Sequence, residues 1–275
     1  MKNYTINEFA NALTNEGYNT EVTTVKKNNV DIPCIRIMFN GYASVIYPQA
    51  DIDNVNEGIV STEELIDKWI EAIEKSKLTQ PLNIERLSDK DYIKANVRLA
   101  VERDFKADYI KEPLADFPGL SKYMIVSMPL EEGNGSARIR SVRIQDSIVK
   151  SCGADLNELW EWALTNTINA TTCDNIAKVL GMPMFEDMPM YVLSTKDKYK
   201  GASVMLNTTA LDNLAKELGV KELTIIPSSI HEIIAIPNNG DDELEVIANM
   251  ITQVNDKEVS AEEVLFDKPF IYKAK

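Results

Sequence analysis

Apolar residues recur along this chain with two periods, and each period predicts a different element. Helical spacing links Ile6, Phe9, Ala10 and Leu13, opened by the capping pattern Thr5-Ile-Asn-Glu8 and closed at Gly17. The same spacing links Leu65, Ile66, Trp69, Ile70 and Ile73 behind Ser61-Thr-Glu-Glu64. It links Leu156, Leu159, Trp160, Ala163, Leu164 and Thr167 behind Asp155-Leu-Asn-Glu158. A further stripe, Ile93, Val97, Ala100 and Val101, predicts a helix over about 88–105, and others are expected at 209–218 and along Leu244, Ile247, Ile251 and Val254. Strand-like runs cover 21–25, 32–39, 42–47, 123–128, 137–144, 190–194, 202–206 and 270–272. Lys26–Asp31 has the composition of a hairpin loop, and Glu131-Glu-Gly-Asn-Gly-Ser136 is the strongest turn signal.

The most apolar stretch is Leu223–Pro237, in which two β-branched runs bounded by prolines flank Pro227-Ser228-Ser229 and the chain's only histidine, His231. Bulk at Cβ favours buried, neighbouring strands over helix. If 230–236 is extended, Ser229, His231, Ile233 and Ala235 share one face and Ile230, Glu232, Ile234 and Ile236 the other, so His231 and Glu232 point apart.

These elements predict an α+β fold, with largely antiparallel sheets, packed helices and a C-terminal ββαββα unit from about 190 to 275. The expected division is an N-terminal α/β region with a hairpin and two helices, 1–110, and a C-terminal α+β region, 111–275, with one continuous domain as the alternative. The 275 residues suffice for either arrangement.

Charge narrows the function classes. The formal net charge is -14, and no arginine follows Arg143, which argues against contact with nucleic-acid phosphates and leaves the second half without a guanidinium fork. The N-terminal residues carry no long apolar run, and no segment approaches the roughly 20 apolar residues of a membrane span, so a cytoplasmic protein is expected. Cys34, Cys152 and Cys173 stand far apart and read as reduced thiols. Arg138, Arg140 and Arg143 form one side of the expected hairpin and read as a solvated face pairing with acids, in preference to an anion site. Met182–Met190, with four methionines and two prolines, reads as a packed connecting loop ahead of an adaptable contact surface or a soft-metal site.

Catalytic constellations are incomplete. Zinc sites of the two-histidine type cannot form with one histidine, and no phosphate-binding glycine loop follows a strand. His231, Glu232 and Cys152 are the candidates for hydrolytic chemistry, Cys152 because it precedes a capped helix whose N-terminus would lower a thiol pKa. Ser228, Ser229, His231 and Trp162 are the candidates for binding, Trp162 because it lies off its helix's apolar stripe and must pack on a second element or face a partner.

Several segments carry a resemblance: Val25–Val30, Tyr47-Pro48, Leu159-Trp-Glu-Trp-Ala163 leading to Asn166-Thr167, Tyr191–Thr195, Tyr199-Lys-Gly-Ala-Ser203, Ile226-Pro-Ser-Ser-Ile-His-Glu232, and Val254–Val259 before Glu262–Leu265. Together they resemble the bacterial domain-of-unknown-function family 5688, known mainly from Firmicutes of gut communities. That resemblance implies no established activity. The resulting expectation is a non-enzymatic binding or accessory protein, without metal or cofactor, whose acidic surface meets a basic protein partner and neither nucleic acid nor membrane. Its alternative is a small hydrolase dependent on Cys/His or Ser/His and centred on His231; the oligomeric state stays open.

Overall fold

The computed structural model describes residues 3–39, 42–78, 84–130 and 138–275. The chain divides into two compact units, Met1–Asn83 and Ile84–Lys275.

The first unit runs α1 (Ile6–Asn15), β1 (Asn19–Lys27), β2 (Val30–Phe39), β3 (Tyr42–Ile46), α2 (Gln49–Asn56) and α3 (Thr62–Leu78), with the strands in the antiparallel order β1-β2-β3. The Thr5 hydroxyl accepts from the Glu8 N–H while the Glu8 carboxylate accepts from the Thr5 N–H, so two free donors at the start of α1 are satisfied. Ser61 and Glu64 repeat the arrangement before α3. The loop expected over 26–31 contracts to a two-residue turn, because Asn28 and Asn29 adopt φ +47° and +64° and β1 and β2 pair up to Lys27 and Val30. Phe9, Leu13, Ile35, Ile37, Ile52, Leu65 and Ile73 close the core.

The second unit runs α4 (Lys90–Asn96), β4 (Val97–Arg103), β5 (Lys111–Pro113), β6 (Leu120–Leu130), β7 (Arg138–Arg143), α5 (Asp146–Cys152), α6 (Leu156–Ala170), β8 (Thr171–Asn175), α7 (Ile176–Leu180), β9 (Tyr191–Thr195), α8 (Thr208–Leu218), β10 (Glu222–Ser229), β11 (Glu232–Pro237), α9 (Asp241–Glu258) and β12 (Phe270–Lys273). In one antiparallel sheet β6 lies between β4 and the successive strands β5 and β7; the other has the order β12-β10-β11-β9-β8. The fold is α+β, and the C-terminal ββαββα order holds in outline. The turn expected at 131–136 lies outside the described residues.

Several elements differ from their sequence reading. The helix expected over 88–105 stops at Asn96, and the chain continues as β4. Val97, Leu99 and Val101 satisfy period two as well as the helical stripe, and pairing of β4 along β6 decides between them. The junction is held from outside: the Asn166 amide donates to the carbonyls of Lys94 and Val97, both at 2.8 Å. Both α4 and β4 belong to the second unit. The run 202–206 is a 3-10 helix, not a strand, and α2 went unread. On α6 only Leu159, Ala163 and Thr167 of the expected stripe are buried, while Leu156 and Leu164 are exposed. Met182, Met184 and Met188 are exposed too, on a turn that Asn175 ties by its amide to the Glu186 and Met188 carbonyls.

Candidate functional site

Strand period places a row of polar side chains on one face of the β4–β7 sheet. Along β4, Arg98, Ala100 and Glu102 alternate with the buried Val97, Leu99 and Val101. Their partners across β6 are Ile125, Tyr123 and Ser121, and Tyr123 and Ile125 in turn pair with Lys111 of β5 and Arg143 of β7. One face therefore gathers Arg98, Glu102, Lys111, Tyr123 and Arg143, with Tyr109 from the connecting segment.

Glu102 is 2% exposed and is the carboxylate at the centre. It accepts from the Tyr109 hydroxyl and from Lys111 Nζ at 3.0 Å, and it lies 3.9 Å from an Arg143 nitrogen. Burial, reinforced by the Glu102 carboxylate, pushes the Tyr109 hydroxyl well above its usual range, so it stays protonated as the donor. Arg143 stacks its guanidinium over Tyr109, 4.5 Å from the ring centre, and over Tyr123 at 5.6 Å.

Above this face lies the Thr195–Gly201 loop, between β9 and the 3-10 helix. Lys200 Nζ donates to the Tyr123 hydroxyl at 2.8 Å, and the Tyr199 hydroxyl meets Ser141 Oγ at 2.9 Å. Asp197 pairs with Arg98 at 2.8 Å while accepting from the Thr195 hydroxyl and the Tyr199 N–H. Lys198 and Lys200 sit at φ +55° and +52°, a left-handed conformation costing roughly 1–2 kcal/mol per residue. Gly201 follows because nothing larger fits: an added Cβ would lie 2.2 Å from Ser194 Oγ and 2.5 Å from the His231 carbonyl oxygen.

That conformation brings cations together. Burial and the neighbouring Arg143 act against the Lys200 ammonium, while the Tyr123 and Tyr199 oxygens act for it, and the net shift is upward. Lys111 pairs with Glu102 and Arg98 with Asp197. Among the described residues Lys200 has no carboxylate partner, and Arg143 only the distant Glu102. An ammonium has three donors and a guanidinium five, so both keep capacity to spare. Tyr123 and Glu102 form a buried floor, while Tyr199, Lys200, Ser141 and Arg143 retain partial exposure at the rim.

A model of the family described as a family of unknown function, DUF5688, matches residues 2–274. The chain belongs to that family. No curated protein and no solved structure matches it.

In this DUF5688 chain His231 occupies the β10–β11 turn and not an extended strand. Pro227 has no donor for the ladder, and the register shifts between Ile226 and Ser229, carrying β10 past the expected turn. Ser229 Oγ accepts from the His231 N–H at 3.0 Å, and Ser228 Oγ lies 3.5 Å from a Glu232 carboxylate oxygen. The imidazole reaches the cationic loop: Nδ1 is 3.1 Å from both the Lys200 N–H and the Lys198 carbonyl, while Nε2 lies 3.5 Å from Glu263. Unprotonated, Nδ1 accepts from Lys200; protonated, it donates to Lys198. The His231 carbonyl also accepts from Ser194 Oγ at 2.7 Å. His231 thus braces the loop that presents Lys200.

The other candidates are placed apart from it. Cys152 is buried at the C-terminal end of α5, where its thiol meets the Val149 carbonyl, and no hydrogen bond joins it to His231 among the described residues. Being the last residue of one helix, it lacks the helix N-terminus that the sequence assigned to it. Trp162 is half-buried on α6, its ring faced by the ammonium groups of Lys90 and Lys94, each 5.5 Å away. No described group of three or more His, Cys, Asp or Glu residues is arranged to hold a metal, and no described helix is long and apolar enough to cross a membrane.

Sequence reasoning missed Lys200, Tyr123, Glu102, Lys111 and Tyr109, and read Arg143 as solvated. A signal existed in the alternation of Arg98, Ala100 and Glu102, but it was hidden under the helical reading of 88–105.

Proposed function

We propose that this chain is a cytoplasmic, non-enzymatic binding protein whose recognition centre is the Lys200–Tyr123–Arg143 cluster, and that its ligand presents an anionic oxygen group there. One observation carries the reading. Two cations converge on a buried phenol while the carboxylate nearest them is already engaged by Lys111 and Tyr109, in a chain whose formal net charge is -14. Excess positive charge costs stability in the free protein, and an arriving anion would relieve it. The left-handed lysines and the glycine that admits no side chain are expensive local features of the kind found where geometry serves a ligand.

The probe is inorganic phosphate, titrated into isotopically labelled protein against sodium chloride at equal ionic strength, with amide resonances followed by NMR. Saturable shifts are expected at Ser141, Tyr199, Lys200 and Gly201. Lys200→Met should weaken binding about 10- to 100-fold, the equivalent of one charge-assisted hydrogen bond. Absence of a saturable response, or an unchanged response in Lys200→Met, would remove the proposal. Turnover of a generic ester that disappears in Cys152→Ala would replace it with the hydrolase reading.

A further inference from the structure

The loop that presents Lys200 rests on a side chain able to reverse its hydrogen-bonding sense. Nδ1 of His231 lies 3.1 Å from the Lys200 backbone nitrogen, a donor, and 3.1 Å from the Lys198 carbonyl oxygen, an acceptor. A ring nitrogen carries either a lone pair or a proton in its plane, so it serves one of the two at a time. The other ring nitrogen decides which. The Glu263 carboxylate stands 3.5 Å from Nε2, and a carboxylate there keeps the single proton of the neutral imidazole on Nε2, leaving Nδ1 to accept from Lys200. Protonation adds a hydrogen at Nδ1. The Lys200 N–H then loses its acceptor and faces a donor, while the Lys198 carbonyl gains one.

The ring itself is anchored. The Ile230 N–H donates to the Glu263 carbonyl at 2.9 Å, the Ile230 carbonyl accepts from the Ala202 N–H at 3.2 Å, and the His231 carbonyl accepts from Ser194 Oγ at 2.7 Å. Adjustment therefore falls on the loop, where Lys198 and Lys200 already hold left-handed conformations that persist only while their surroundings enforce them. The His231 side chain is 29% exposed, so solvent protons reach it. Of the other charged or titratable groups about it, Glu232 lies against Ser228 Oγ, the Tyr199 ring is 6.0 Å away, the Lys200 ammonium is bonded to Tyr123 and Lys198 is exposed.

We propose that His231 is a positioning residue that makes the anion site sensitive to pH: neutral, it holds Lys200 in its presenting conformation, and protonated, it turns to the Lys198 carbonyl and releases Lys200. The inference rests on the anion-binding reading above and adds its regulation. Histidine is the side chain whose ordinary titration falls between about pH 5 and 8. The positive charge gained by the ring acts in the opposite sense, attracting an anion, but it sits beside the Glu263 carboxylate and both are partly exposed, so solvent and salt screen it. Loss of the Lys200 hydrogen bond outweighs it, and anion affinity falls with pH.

The test follows the isotopically labelled full chain by NMR from about pH 8 to about pH 5.5. Because His231 is the only histidine, its ring signals are assigned without ambiguity. In the free protein the Lys200 amide should move with the same midpoint as the His231 ring, and Glu263→Gln, at a partly exposed position, should carry both midpoints to lower pH. Sulfate, whose charge is constant over this range, is then titrated against sodium chloride at equal ionic strength; it should bind about fivefold more weakly at the acidic end, the worth of one net hydrogen bond. His231→Gln, which cannot titrate, should bind sulfate equally at both ends. A Lys200 amide that stays still while the ring titrates, midpoints unmoved by Glu263→Gln, or saturable sulfate binding of equal strength at both ends would overturn the switch and leave the anion site standing. Absence of saturable sulfate binding at pH 8, with the Lys200 amide still following the ring, would instead overturn the anion reading and the regulation drawn from it.

Discussion

Replacing Gly201 with alanine adds one methyl group at the tightest point of the loop that carries Lys200. Built on the existing backbone, that carbon would lie 2.2 Å from Ser194 Oγ, 2.5 Å from the His231 carbonyl oxygen and 2.7 Å from the Thr195 nitrogen. Two of the three are backbone atoms of paired strands or their connecting turn, so they cannot rotate away. Relief requires the loop to lift or Ser194 Oγ to swing aside, which stretches the Lys200–His231 hydrogen bond of 3.1 Å or breaks the Ser194–His231 bond of 2.7 Å. Overpacking of this kind costs about 1–3 kcal/mol, and each weakened hydrogen bond adds about 0.5–1.5 kcal/mol, for a total near 3 kcal/mol. In a domain of this size that corresponds to a Tm lower by about 6–12 °C. Gly153→Ala is the matched control, since its φ is +65° but nothing lies within 4 Å of an added Cβ; left-handed strain alone should cost about 1 kcal/mol, or 2–4 °C. Thermal unfolding followed by circular dichroism reads both. A Gly201→Ala variant within about 2 °C of the parent, or no worse than Gly153→Ala, would refute the claim that close approach dictates this glycine.

Two further expectations follow from buried charge and from a shifted thiol. Lys111→Met leaves Glu102 at 2% exposure without its 3.0 Å partner; urea unfolding should show a loss of about 3–5 kcal/mol, partly recovered when Glu102→Gln removes the stranded charge. Cys173 is exposed, yet desolvation and the carboxylates of Glu217 and Asp174 push its thiol up to about 11. Since only the thiolate reacts, its fraction at pH 8 falls about 200-fold below that of an ordinary cysteine; higher intrinsic nucleophilicity returns about tenfold, so Ellman's reagent should label it roughly 20-fold more slowly. The rate should climb about tenfold per pH unit until pH approaches 11, and a plateau near pH 9 would contradict the assigned shift.

Local chemistry was legible wherever it is self-contained. Thr5 with Glu8, Ser61 with Glu64 and Asp155 with Glu158 form capping boxes whose partners lie three residues apart, so the starts of α1, α3 and α6 follow from the chain itself. The apolar runs of Leu223–Pro237 likewise became paired central strands, because β-branched residues have few other places to go. Where two periods fitted one segment, sequence could not choose. Residues 97–103 became a strand because β6 offers a ladder and Asn166, about 70 residues away, caps the preceding helix from outside. The candidate site belongs to that second category. Glu102, Tyr123, Arg143 and Lys200 lie on four separate elements, and their meeting depends on register between strands and on the left-handed turn at Lys198 and Lys200. His231 was conspicuous as the only histidine, but its role in bracing that loop is set by a bulge after Pro227 and by contacts more than 30 residues distant in sequence. Sequence alone determined which segments could cap, alternate or bury; the tertiary structure decided which polar side chains share a face, because that choice is made by pairing partners no local pattern encodes.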